Sequence, residues 1–236
     1  MGDAYTNSME INNYIISSST DTFLNFSISR NRDWQDFCDT WDNLLLDQYM
    51  NDGGSYRYRR YSAFEFDLGK QKINQLEHTP YQQSLYINSL NGGIQRNYEP
   101  LEKKFTENLI FQKIIHGFSF LISSFTTHTK FNIKIHPYRI IATEGTLGEP
   151  APEGLHQDGV DYVIAFMIKR VNIIGGESYI ADTNKNIIKK TTLKKPGDFI
   201  LTDDHQLFHG VSSVCVENKH KAFSYRDVLV IAYSLV

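Results

Sequence analysis

Hydrophobic and polar positions follow two different periods along the chain, and the change falls near residue 130. In the first part, apolar residues recur at helical spacing from Asp33 to about Met50 and again from about Pro100 to Ser124. Pro100 suits the first turn of a helix, because a missing backbone N–H costs little there. The pattern predicts that residues 1–130 are mainly helical.

After residue 130 the apolar residues come in short runs that are typical of strands. The runs cover residues 131–143, 162–171, 178–182, 198–203, 207–216 and 226–236. Many short strands separated by turns favour a sandwich or barrel over alternating βαβ units. We therefore expect one α+β domain over residues 1–236, with helices packed on the outer side of a β core at 131–236.

Composition narrows the classes of function. The 236 residues carry a net charge of −3, so there is no basic surface that would indicate a nucleic-acid partner. No apolar run approaches the length of about 20 residues that spans a membrane, and the N-terminus lacks the pattern of a signal peptide. The two cysteines give neither a disulfide framework nor the paired spacing of a zinc site. We expect a cytoplasmic protein, in a reducing compartment where ferrous iron persists.

The stretch GLHQDG at 154–159 carries the first candidate chemistry. In an extended segment His156 and Asp158 point to the same face, so both could reach one metal ion or one substrate. A polar turn before a strand is the alternative. His209, in a strand-like run of the β half, supplies a third candidate ligand, although a hydrogen-bonded core histidine is its ordinary role. Two histidines and one carboxylate form the facial triad that leaves ferrous iron with open positions, and a zinc hydrolase could use the same ligands.

Arg226 lies in the last strand-like run and shares a face with Val228, Val230 and Ala232. An arginine on an apolar face is costly unless an anion pairs with it, and a guanidinium binds a carboxylate through two hydrogen bonds. Arg226 is therefore a candidate anion anchor. A salt bridge to Asp227 or Glu217 and a solvent-exposed strand end are the alternatives.

Arg139 is a further candidate for substrate binding. Arg139 alternates onto the same face as Phe131, Ile133 and Ile135, where it would bind a substrate carboxylate or brace the barrel. His136 falls on the opposite face, and we expect it to be structural.

Arg57 belongs to the segment SYRYRRYSAF at 55–64, which is either a lid over the site or a solvated edge strand. The polar, turn-rich segment 81–96 offers Gln82 or Asn88 to a pocket.

The chain resembles the iron(II)/2-oxoglutarate dioxygenases that include bacterial isoleucine hydroxylases acting on free L-amino acids. The matching text is RYRR at 57–60, YQQ at 81–83, GGIQR at 92–96, HPYRI at 136–140, PEGLHQDGVDYV at 152–163, RVNIIGGES at 170–178, PGD at 196–198, FHGVS at 208–212 and RDVLVIAY at 226–233. The resemblance implies His156, Asp158 and His209 as iron ligands and Arg226 as the residue that holds 2-oxoglutarate. It also implies a double-stranded β-helix, the cupin-like jelly roll, with helices against its outer side.

The activity implied by the resemblance is hydroxylation of an unactivated C–H bond of a free L-amino acid. Fe(II), 2-oxoglutarate and O₂ would be required, with succinate and CO₂ as co-products. Asp158 matches the position that halogenases of this type leave open to halide, so hydroxylation is favoured over chlorination, while sulfoxidation, desaturation and ring closure stay open. The alternatives are a hydroxylase of a peptide-bound residue or of a small biosynthetic intermediate, and a non-catalytic β-barrel that binds a metal or ligand.

Overall fold

A computed structural model describes residues 2–18, 32–88, 90 and 92–236 of the chain. Its helical elements are α1 (Gly2–Asn12), α2 (Arg32–Asp39), a 3₁₀ turn (Thr40–Asn43), α3 (Lys103–Thr106) and α4 (Leu109–Ser123). None of the helices within these ranges has the length and apolar character needed to cross a membrane.

The same ranges hold fourteen strands. They are β1 (Tyr14–Ser17), β2 (Leu45–Leu46), β3 (Arg57–Arg59), β4 (Ser62–Asp67), β5 (Lys72–Gln75), β6 (Lys130–Ile141), β7 (Tyr162–Val171), β8 (Ile173–Gly175), β9 (Ser178–Ala181), β10 (Ile187–Thr191), β11 (Phe199–Asp203), β12 (Phe208–Val211), β13 (Val214–Val216) and β14 (Tyr225–Leu235). The predicted strands of the β half are confirmed to within about two residues, except that the run 207–216 divides into β12 and β13.

The strands form a jelly roll, as predicted. The major sheet runs in the order β1-β11-β7-β14-β6-β3-β2, with β4 also paired to β6 and β5 to β4. A minor sheet has the order β10-β9-β12, and β13 pairs with β8. Met167 and Ile200 of the major sheet pack with Ile180 of the minor sheet. The two sheets therefore face each other across an interior.

Side chains of the major sheet alternate between this interior and the helices, because successive residues of a strand point to opposite faces. On the outer face, Ile133 of β6 and Ile231 of β14 join the main hydrophobic core with Ile114 and Phe118 of α4. Tyr233 belongs to the same face, and its hydroxyl lies 3.1 Å from Ser119 Oγ. One face of β6 and β14 thus packs against the helices, and the other face points into the interior between the two sheets.

Residues 1–130 contain strands as well as the predicted helices. The first predicted helix ends at Asp39, and after the 3₁₀ turn the chain is extended at Leu44. The second is divided in two, because the side chain of Asn108 caps a new helix by accepting the Ile110 N–H at 2.7 Å. Five strands, β1 to β5, also lie before residue 130, and two of them pair directly with β6.

Candidate functional site

The three predicted metal ligands lie together at one end of the interior. His156 and His209 face each other across an isolated β-bridge, in which each backbone N–H donates to the other carbonyl at 2.9 Å. Their ring centres are 4.5 Å apart, and His209 Nε2 lies 3.4 Å from Asp158 Oδ2. One ligand atom from each of the three side chains lies within 4.8 Å of the other two.

Backbone conformation sets the direction of these side chains. Gly154 and Gly159 adopt φ of +75° and +76°, a left-handed conformation that side chains with a Cβ disfavour. The Gly154 carbonyl lies 2.9 Å from His156 Nδ1, which must be the donor because the carbonyl only accepts. This fixes the tautomer and leaves Nε2 of His156 with a lone pair for a metal ion.

Asp204 connects the turn that carries Asp158 with His209, and the sequence reasoning missed it. Its buried carboxylate accepts the backbone N–H groups of Asp158, Gly159 and Val160 at 2.7 to 3.2 Å. It also lies 3.7 Å from His209 Nδ1, a buried nitrogen without a hydrogen-bond partner among the described residues. An acidic residue in the turn five positions before His209 is the signal that could have indicated it.

The charges of the cluster suit a divalent cation. Burial raises the pKa of Asp158, but the hydrogen bond from His209 and the charge of that ring outweigh it, so the pKa lies below its usual range. Asp158 is therefore ionised at neutral pH. Two imidazole nitrogens and one carboxylate oxygen are the donor set that suits Fe(II) in a facial triad, and the residues present fit such an ion.

A cavity opens beside the cluster, between the two sheets. It contains about 960 Å³ of empty space, part of which is open to solvent. On β14 the cavity is lined by Arg226, Val228, Val230 and Ala232. These are the four residues that the period of two places on one face of the strand. The cluster and this cavity together form the candidate active site.

Arg226 is buried in this wall without a counter-ion. Its side chain is 2% exposed, its Nε has no hydrogen-bond partner, and no carboxylate of the described chain lies within 4.0 Å of it. Burial and the neighbouring Arg170 lower the pKa of Arg226 to about 10. The alternative of a salt bridge to Asp227 does not hold, because that residue points to the outer face.

Arg139 is not part of the cavity, so its predicted role in substrate binding is wrong. Its guanidinium pairs with both carboxylate oxygens of Asp227 at 2.7 and 2.8 Å, and with Asp42 at 2.8 Å. The physical reason is that the apolar face of β6 is the one that helices cover. His136, on the opposite face, lines the cavity, where it stacks on Tyr61 at 4.9 Å between ring centres.

The segment around Arg57 is a buried strand and not a lid or a solvated edge. Strand β3 lies between β2 and β6 in the major sheet, and Arg57 is 6% exposed. Arg57 does line the cavity, yet its Nε and Nη2 already pair with Asp47 Oδ2 at 2.9 and 2.8 Å. The guanidinium of Arg57 is therefore not free to bind a substrate.

Gln82 is exposed, and the neighbouring Gln83 reaches the cavity in its place. Gln83 Nε2 lies 3.3 Å from Asp158 Oδ1, and Gln83 Oε1 accepts a hydrogen bond from Arg96 at 2.9 Å. The bridge between Tyr81 and Arg96 sets this alternation, so odd positions point inward. Asn88, the other candidate of the segment, does line the cavity.

Glu153 is a further cavity residue that the sequence reasoning missed. Its side chain is 10% exposed, with Oε1 3.6 Å from His156 Nε2. Its Oε2 is buried and has no hydrogen-bond partner among the described residues. The cavity thus presents an unpaired carboxylate oxygen as well as an unpaired arginine.

A jelly roll with two histidines and a carboxylate at the mouth of its cavity defines the class of non-haem iron oxygenases. The chain belongs to the 2OG-Fe dioxygenase family, whose family model matches residues 38–232. It is 30% identical over 198 residues to 3(1)-hydroxy-L-isoleucine 4-dioxygenase of Pantoea ananatis, an alignment that covers 82% of this chain and 77% of the relative.

Solved structures agree with the fold. A bsmA homolog from Methylobium petroleophilum PM1 superposes with a TM-score of 0.89 at 27% identity, over 99% of this chain and 93% of that one. IDO from Bacillus thuringiensis gives 0.79 at 19% identity, over 100% and 96% of the two chains. The predictions of the family, of the fold and of an enzyme that uses Fe(II), 2-oxoglutarate and O₂ are confirmed.

Proposed function

We propose that the protein hydroxylates an unactivated C–H bond of a free L-amino acid, with Fe(II) held by His156, Asp158 and His209. The observation that carries the proposal is the convergence of these three side chains beside a cavity that contains the unpaired Arg226. Arg226 would bind the distal carboxylate of 2-oxoglutarate through two hydrogen bonds, which its planar guanidinium favours.

Each part of the chain has its own task in this reaction. Bound Fe(II), with 2-oxoglutarate and O₂, supplies the oxidising power for hydroxylation and yields succinate and CO₂. Asp204 holds the Asp158 turn and lies beside the His209 ring, so that the ligands keep their geometry. The apolar wall of Val228 and Val230 excludes water from the reacting carbon. Asp158 would hold the position that halogenases of this type leave open to halide, so hydroxylation is favoured over halogenation.

An amino-acid substrate is supported by the charge pattern and by one relative. Glu153 Oε2 would accept a hydrogen bond from the substrate ammonium group, since it is buried and has no partner in the described chain. The Pantoea ananatis relative is named for action on a hydroxylated L-isoleucine.

The metal assignment is tested by adding Fe(II) and 2-oxoglutarate without oxygen. We expect the weak visible charge-transfer band of an iron-bound 2-oxoacid in the wild type, and its loss in His156→Ala. His205→Ala is the matched control, because His205 lies in the neighbouring turn, is exposed and pairs with Asp161. A band of full intensity in folded His156→Ala would remove His156 from the metal site.

The substrate class is tested by a screen of the twenty L-amino acids for a 2-oxoglutarate-dependent gain of one oxygen atom. At least one hydroxylated amino acid is the expected result. Oxygenation of peptides or of other small molecules, with none of any free amino acid, would contradict the proposed substrate and leave the oxygenase chemistry in place.

A further inference from the structure

Cationic side chains of the cavity differ in whether they have a carboxylate partner. Arg57 and Arg59 share Asp47, at 2.8 and 3.8 Å. Arg96 and Lys134 also line the cavity, and neither has a carboxylate within 4.0 Å among the residues that the structure describes. Once 2-oxoglutarate is assigned to Arg226, these two cations still lack an anion.

Arg96 and Lys134 converge on one aromatic ring. The Arg96 Cζ lies 4.7 Å and the Lys134 Nζ 5.7 Å from the centre of the Tyr81 ring. Arg96 is 1% exposed, and its Nε has no hydrogen-bond partner in the described chain, although its Nη2 donates to Gln83 at 2.9 Å. A buried guanidinium beside a partly buried lysine is costly unless an anion joins them.

The backbone of Lys134 lies well away from that of Arg226 along the sheet. In the major sheet Lys134 is the Cα partner of Ala232, whereas Ile140 is the partner of Arg226. Six residues of extended strand separate the two positions, which is about 20 Å at about 3.3 Å per residue. In the proposed function one carboxylate of 2-oxoglutarate would be held by Arg226 and the other end by the metal ion, so no carboxylate of the cosubstrate is left for Arg96 and Lys134.

The same pair is adjacent to the candidate metal site. Gln83 connects them, because its Oε1 accepts from Arg96 and its Nε2 lies 3.3 Å from Asp158 Oδ1. An anion bound at Arg96 and Lys134 would therefore place the rest of its molecule beside the metal ligands.

We propose that Arg96 and Lys134 form a second anion site, which binds the carboxylate of the substrate. The inference rests on the proposed function and sharpens its substrate class. A free amino acid carries the required carboxylate, whereas a residue within a peptide does not. Tyr81 contributes to the site, because the two cations lie 4.7 and 5.7 Å from the centre of its ring.

The test measures the affinity of the anaerobic holoenzyme, loaded with Fe(II) and 2-oxoglutarate, by calorimetric titration. The probes are the twenty L-amino acids and their α-carboxamides. We expect at least one acid to bind about 10- to 100-fold more tightly than its amide, because a hydrogen bond to a charged partner is worth about 1.5–3 kcal/mol. Lys134→Met should remove this preference and leave the affinities for the amide and for 2-oxoglutarate unchanged.

Two further variants make the result specific. Lys134→Arg keeps the charge and should keep the preference for the acid. Lys130→Met removes an exposed lysine from the same face of β6 outside the cavity, and it should change neither affinity.

Several results would overturn the inference. Equal binding of acid and amide, no binding of any amino acid, or unchanged discrimination in Lys134→Met would each do so. Weaker binding of 2-oxoglutarate in Lys134→Met would instead assign Lys134 to the cosubstrate. Failure of the proposed function is a separate result: an amino acid would bind with the expected preference over its amide and yet never be oxygenated.

Discussion

Replacing Arg226 by methionine should stabilise the protein without its ligands and abolish its response to 2-oxoglutarate. Methionine is unbranched and uncharged, so the variant removes a buried cation that has no counter-ion among the described residues. Most substitutions at a buried position reduce stability. An increase would therefore identify Arg226 as a residue retained for binding.

The magnitude follows from the burial of Arg226. Its pKa falls from 12.5 to about 10, because burial disfavours the charged form and Arg170 lies nearby. Each unit of pKa corresponds to about 1.4 kcal/mol, so the charge opposes folding by an amount on the order of 3 kcal/mol at neutral pH. After some loss of packing around the shorter methionine, we expect Arg226→Met to raise the free energy of unfolding by about 1–3 kcal/mol.

Urea unfolding followed by tryptophan fluorescence measures this change, since Trp34 and Trp41 are both buried in the main core. With Mn(II) in place of Fe(II), 2-oxoglutarate at a hundred times its Kd should stabilise the wild type by about 2.7 kcal/mol. The same concentration should leave Arg226→Met unchanged.

Arg139→Met is the matched control, and it should change the free energy of unfolding in the opposite direction. Arg139 is bound through two hydrogen bonds to Asp227, a carboxylate 1% exposed, so its removal leaves a buried charge unpaired and costs about 3–5 kcal/mol. Its response to 2-oxoglutarate should persist. A loss of stability in Arg226→Met comparable to that in Arg139→Met would refute the reasoning, because Arg226 would then have a structural partner.

Two other predictions test the residues that support the site. Asp204→Asn removes the charge that accepts three backbone N–H groups around Asp158, and Mn(II) affinity should fall about 10- to 100-fold. Asp182→Asn, in an exposed turn, should leave it unchanged, and equal losses in both variants would contradict a specific role. Burial and the charge of Arg59 hold the pKa of His136 well below 6.5, so the unfolded chain binds this proton first as the pH falls. Below about pH 6.5 the free energy of unfolding should therefore fall with decreasing pH more steeply in the wild type than in His136→Asn. The expected difference in slope is about 1.4 kcal/mol per pH unit, and parallel pH profiles would exclude this contribution of His136.

Local patterns were sufficient for most strands of the β half, although not for β8 and β10, and for the inward direction of Arg226. A period of two residues is visible within each run, and turn residues mark its ends. The His156 and Asp158 spacing likewise placed both side chains on one face, and the structure brings His209 to them. Each of these inferences depends on residues that are neighbours in the sequence.

Arg139 shows what such local patterns cannot predict. Strand β6 is covered on both faces, so an apolar face does not reveal which side holds the cavity. The partners of Arg139 are Asp42 and Asp227, 97 and 88 residues away along the chain, and no local period reports them. Gln82 failed for a related reason, because a register error of one residue moves a side chain to the other face.

The balance of charge explains why ligands are needed to complete this cavity. In the described chain five cations line it, Arg57, Arg59, Arg96, Lys134 and Arg226, against the two carboxylates of Glu153 and Asp158. Asp47 compensates one of the five cations. Fe(II) adds two positive charges and 2-oxoglutarate adds two negative charges, so binding this pair leaves the excess of cations unchanged. A free amino acid is a zwitterion, so it also leaves the net charge unchanged, but it brings one group of each sign. Its carboxylate would give Arg96 and Lys134 the anion that they lack, and its ammonium group would give Glu153 a cation. The requirement is thus for two charged groups in the right places, and the proposed Arg96 and Lys134 site is where the carboxylate would be selected.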